Sequence, residues 1–121
     1  MYIDIEQVQT LLNLGRAIEQ WIGAYREYDY TAIKWLMIKR KGENTYDVMY
    51  SDVIDEGDEN FNDVYEFTAT DPDFTYGKID SFQTAEEAIN FALKQYGCKP
   101  DKFVGSGMIQ EEYAKYLKKG E

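Results

Sequence analysis

The sequence predicts an α+β domain, an antiparallel four-stranded meander with one N-terminal helix and two C-terminal helices. Three observations carry this. Apolar residues recur at helical spacing towards both ends of the chain. The middle alternates runs of β-branched and aromatic residues with short turn-forming segments, as antiparallel neighbours require. Strands in series between helices, without βαβ alternation, indicate the α+β class. At 121 residues, 44% of them hydrophobic, the chain suits one domain spanning 1–121 that folds without metal or disulfide.

The first element is a helix over residues 5–27. Ile5, Val8, Leu11, Leu12, Ile18, Trp21, Ile22 and Tyr25 recur near every 3.6 residues. Asp4 caps its start, with Gln7 as the capping-box partner. Gly15 is its weak point, costing ~1 kcal/mol against alanine. The pattern then changes. Thr31 to Lys41 is the first strand, apolar on both faces at its middle. Gly42-Glu43-Asn44 is a turn, and Thr45 to Ile54 is the second strand.

Asp55 to Asp63 is a loop with one large apolar residue, Phe61. Val64 to Thr70 is the third strand, with Tyr65 and Phe67 on one face. Asp71-Pro72-Asp73 is a turn, because proline presets φ and aspartate bonds its own backbone. Thr75 to Phe82 is a weaker fourth strand. Thr84-Ala85-Glu86-Glu87 is a capping box that opens the second helix, which Gly97 ends. Ile109 to Lys119 is the last helix, with Lys115, Lys118 and Lys119 in its final turn, where cations suit the helix dipole.

Composition excludes several chemistries. The chain has no histidine, which removes Ser–His and Cys–His nucleophiles and histidine-containing zinc sites. Its one cysteine, Cys98, cannot form an internal disulfide, and a cytoplasmic location is the simplest expectation. Met1-Tyr2-Ile3-Asp4 lacks the basic start and apolar run of a signal peptide. No stretch approaches the ~20 apolar residues of a membrane span.

The net charge is −10, and it is unevenly placed. Between Lys41 and Lys78 there is no basic residue, and the segment carries eleven acids; the remainder of the chain is close to neutral. This excludes direct binding to nucleic acid or an anionic membrane, which need clustered lysine and arginine. Residues 52–63 are the densest part. Carboxylates ~6 Å apart in water repel by ~0.7 kcal/mol, so such a loop either splays its acids or gathers them on a cation.

Asp52, Asp55, Glu56, Asp58, Glu59 and Asp63, with Asp71 and Asp73 on the following turn, are the candidate metal ligands. Hard cations such as Ca²⁺ take six to eight oxygens of this kind. An EF-hand is not the expected frame. Counting from Asp55, Glu59, Asp63 and Glu66 occupy ligand positions, but Gly57 stands where an acid belongs and Asn60 where glycine belongs. The expectation is a non-enzymatic calcium-binding protein with a non-EF-hand loop. The alternatives are a solvated acidic loop and an acidic inhibitor or immunity-type protein that docks on a basic protein surface, with the acids mimicking nucleic acid. Hydrolysis by a carboxylate pair carries no specific signal in so acidic a chain.

In length, charge and the character of Asp55-Glu56-Gly57-Asp58-Glu59-Asn60, the chain resembles the cyanobacterial calcium-binding protein CcbP family. The resemblance implies cytoplasmic calcium buffering, linked in that family to heterocyst differentiation. No motif matches position by position, so it implies no ligand assignment.

Overall fold

A computed structural model describes residues 2–58 and 60–119. The class is α+β, with three helices and a five-stranded antiparallel sheet. Helix α1 spans Ile5–Asn13, and strand β1 spans Ile18–Arg26. Strands β2 and β3 span Thr31–Gly42 and Thr45–Ile54. A 23-residue excursion over 55–77 leads to β4, Lys78–Phe82. Helix α2 (Ala85–Gln95), the two-residue strand β5 (Val104–Gly105) and helix α3 (Ile109–Lys119) complete the chain. The sheet order is β4-β3-β2-β1-β5. Strands β1 to β4 form the expected antiparallel meander, but its membership differs from expectation.

The 5–27 helix is the first correction. It stops at Asn13, because Gly15 takes φ +85° and closes the helix. Gly15 N–H donates to the Leu12 carbonyl at 3.0 Å and Arg16 N–H to the Leu11 carbonyl at 2.9 Å, a Schellman closure. The apolar residues beyond it alternate across a strand. Ile18 and Gln20 face one side, Glu19 and Trp21 the other, and a bulge follows between Trp21 and Gly23. Register with β2 sets Trp21 opposite Trp35 and Tyr25 opposite Ala32.

The 64–70 strand is the second correction. Val64–Glu66 is a 3₁₀ turn, and among the described residues the segment meets the sheet through one bridge from Val53 to Ala69. The Asp63 carboxylate accepts the Tyr65 amide at 3.3 Å and starts that turn. Val64 and Phe67 are buried while Tyr65 is exposed, a spacing of three in place of alternation. The fourth strand is shorter than expected, beginning at Lys78; Pro72–Phe74 is a second 3₁₀ turn capped by Asp71. β5 adds a fifth strand at the β1 edge, pairing Val104 with Glu19.

The sheet is covered on both faces. Val8 and Leu12 of α1 and Ala88, Ile89 and Ala92 of α2 pack on Ile18, Leu36, Ile38 and Val48. On the opposite face, Ile109 and Tyr113 of α3 join Val64 and Phe67 of the excursion over Ile33, Trp35 and Val53. The excursion is thus anchored by two buried side chains, and its other described residues are half-buried or exposed. The Thr84 hydroxyl accepts the Glu87 amide at 3.1 Å, as the capping box requires.

Candidate functional site

The excursion is fixed at its start by Asp55. Its carboxylate accepts from the buried Tyr113 hydroxyl and from the Gly57 amide at 3.4 Å. Gly57 lies under close neighbours: a β-carbon there would stand 2.6 Å from both the Phe67 ring and the Tyr113 hydroxyl. No residue larger than glycine lets the loop approach α3 this closely. Burial, then the Asp55 carboxylate, raises the pKa of the Tyr113 phenol well above its ordinary value, so it remains a donor.

The other acids of the segment are turned outward or used as local acceptors. Glu56 accepts the Thr68 amide at 2.6 Å and the Thr68 hydroxyl at 3.0 Å. Asp58 accepts the amides of Asn60 and Phe61 at 2.8 and 3.0 Å. Asp63 also accepts from Gln110 Nε2 on α3 at 3.1 Å. Asp71 accepts the Asp73 amide at 2.9 Å, and Asp73 is exposed. Glu59 lies outside the described residues. The bonds of Asp58, Asp63 and Asp71 to the amides of Asn60, Tyr65 and Asp73 are those of turns and caps, formed because a short carboxylate reaches a backbone amide two residues on, whereas Glu56–Thr68 and Asp63–Gln110 tie distant parts of the chain together.

Asp52 differs, since it sits on β3 and not in the loop. Both its oxygens accept from the Tyr25 hydroxyl, at 2.8 and 3.0 Å. Burial, and after it Asp52, raises the pKa of the Tyr25 phenol. Asp52 and Asp71 line one cleft with Thr70 and Lys78, which brings a β3 acid and an acid of the 71–73 turn to a common opening. Among the described residues, no group of three or more acids or cysteines is placed to hold a metal ion. Among them too, the ion pair is Lys115–Glu112 on α3, at 3.0 Å, and no acid of 55–77 has a basic partner.

The excursion carries a second kind of side chain. Phe61, Tyr65, Phe74 and Tyr76 are 45%, 42%, 44% and 85% exposed. Between the last three of these and the sheet lies a cleft of about 170 Å³. Trp35, Met37 and Met49 form its floor, and Tyr65, Phe74 and Tyr76 its walls. The buried indole Nε1 of Trp35 has no hydrogen-bond partner. Sequence reasoning did not identify this cleft, because Trp35 and Met49 belong to strands distant from Phe74 in the chain.

Glu19 is likewise hidden in the sequence, because the apolar spacing over 5–27 reads as a helix. It is fully buried on β1 and lies at the start of α3. It accepts the amides of Gly107 at 2.9 Å and Ile109 at 3.1 Å, and the Tyr65 hydroxyl. Burial raises its pKa, and these three bonds act in the opposite direction. A strand reading of Ile18-Glu19-Gln20-Trp21 would have set Glu19 on the face with Trp21.

An antiparallel α+β meander with an acidic, aromatic excursion between its last two strands is thus the class defined by fold and site. The chain matches no family model, no curated protein and no solved structure. No helix among the described residues is long and apolar enough to cross a membrane.

Proposed function

We propose that this chain is a non-enzymatic docking protein whose 55–77 excursion engages a basic surface of a partner protein. One observation carries the reading. The acids of the excursion have no basic partner within the described residues, and four exposed aromatic rings stand on the same connection. Aromatic residues ringed by charge of one sign are what a protein interface uses: rings supply contact area, and charge supplies orientation and association rate. Glu56, Asp58, Glu66, Asp71 and Asp73 are exposed and spaced along the connection, which suits an extended basic surface better than a point charge. An inhibitor or immunity-type role, with the acids in place of nucleic-acid phosphates, belongs to this reading.

The test is a variant carrying Asp58→Asn, Glu66→Gln, Asp71→Asn and Asp73→Asn. The amides keep the acceptor oxygens of the turns while removing four charges. The wild-type chain should retain basic proteins that elute between about 0.1 and 0.5 M salt, where the Debye length falls below about 10 Å. The variant should retain none of them. Equal retention by both would refute the reading.

A second reading keeps a divalent cation, and the Asp52–Asp71 cleft supports it. Ca²⁺ that binds only the folded chain adds about 2.7 kcal/mol at a hundredfold excess over Kd. A rise in melting temperature with millimolar Ca²⁺, lost in Asp52→Asn with Asp71→Asn, would favour this reading. No rise would remove it.

A further inference from the structure

We propose that the cleft over Trp35 receives one aromatic or branched apolar side chain carried on a lysine- and arginine-rich segment of the partner. The proposal rests on the docking reading above and adds the point of attachment. The cleft holds about 170 Å³, the scale of one ring and well below a drug-sized ligand. Its floor includes Met37 and Met49, whose flexible thioethers adapt to differently shaped occupants. The Trp35 indole Nε1, on a side chain 5% exposed, is a buried donor without an acceptor.

Charge selects the flanks of the occupant. The connection that walls the cleft carries the exposed acids Glu66, Asp71 and Asp73 and no basic residue before Lys78. Asp63 and Asp73 are chain neighbours of the wall residues Val64 and Phe74. An apolar anchor on an acidic segment would meet this field repulsively, and one on a basic segment would be drawn in. The arrangement has the plan of an interface hot spot: a central pocket for an anchor with charge around it.

The experiment uses two labelled heptapeptides, each with three basic residues on either side of a central phenylalanine or glycine. The full chain carries Trp21→Phe, leaving Trp35 as its one tryptophan. The phenylalanine peptide should bind about tenfold to a hundredfold more tightly than the glycine peptide, the range for burying one such side chain. It alone should shift Trp35 emission. Ala69→Met, which fills the cleft, should abolish the preference and leave the salt dependence intact. Phe74→Ala, which removes a partly exposed wall, asks the same question should Ala69→Met not fold. Equal, salt-sensitive binding of both peptides would leave the docking reading standing and overturn the cleft as an anchor site. Binding of neither peptide at low salt would overturn both. An unchanged Trp35 emission with a bound phenylalanine peptide would overturn the cleft assignment alone.

Discussion

Tyr113 on α3 donates its phenolic hydrogen to the Asp55 carboxylate, joining residues 58 positions apart where the chain leaves β3. The tyrosine is fully buried, and its ring meets Phe67 edge-on at 5.4 Å. One side chain therefore holds both the start of the acidic excursion and one of its two buried anchors. The surface acids are presented by a loop with a fixed root.

Tyr113→Phe removes the hydroxyl and keeps the ring. A hydrogen bond to a charged group contributes about 1.5–3 kcal/mol. The variant should lose stability in that range, read as a lower urea midpoint with unchanged slope. Amide exchange over 55–67 should quicken by more than in the β2–β3 hairpin. An unchanged midpoint would show that solvent replaces the bond without cost.

Gly57→Ala tests the close approach. Its β-carbon would enter space held by the Phe61 carbonyl, the Phe67 ring and the Tyr113 hydroxyl. The first is backbone and the others belong to the packed layer under α3, so relief requires the loop to move. Overpacking of this kind costs about 1–3 kcal/mol. The melting temperature should fall by roughly 4 °C per kcal/mol. Stability equal to wild type would mean that the loop shifts freely.

Cys98 is buried beyond the end of α2, and burial pushes its thiol up to about 12. The thiolate is the reactive form, so the folded protein should be inert to a disulfide-exchange thiol reagent near neutral pH. Added denaturant should expose one reactive thiol per chain. Rapid labelling of the folded protein would contradict this burial.

The local signals in the sequence were enough for several elements. Thr45–Ile54 and Ile109–Lys119 fall where alternation and helical spacing put them, and Thr84 caps α2 by contacts within four residues. The failures are non-local. Ile18, Trp21, Ile22 and Tyr25 fit a helical face as well as a bulged strand, and pairing with β2 decides between them. Val64 and Phe67, three apart, suit a strand as well as a 3₁₀ turn, because β-branched and aromatic residues favour both uses. At the site, the acidic residues were legible but their partners were not. Asp55 meets Tyr113, Asp63 meets Gln110, and Asp52 meets Tyr25, each across a sequence separation that no spacing rule reaches. The acids are therefore legible as a candidate ligand set, while the hydrogen bonds that the described ones make as turn caps and anchors are not.

Glu19 gives the chain a distinctive pH dependence. Burial raises its pKa in the folded state, and the bonds from Tyr65, Ile109 and Gly107 do not cancel that rise. The unfolded chain has the ordinary value, so on acidification the folded state takes up this proton first. Stability then increases as pH falls, because the folded state binds more protons. The cost of holding Glu19 ionised is at full size above its folded pKa, and it is relieved as pH falls through that value towards the ordinary one. Glu19→Gln keeps an acceptor for the α3 amides and does not titrate. Urea titrations from pH 8 down to pH 5 should show wild-type stability rising relative to Glu19→Gln as pH falls. Parallel curves would mean that Glu19 titrates alike in both states, and a wild-type curve falling away from the variant on acidification would mean that its bonds outweigh its burial.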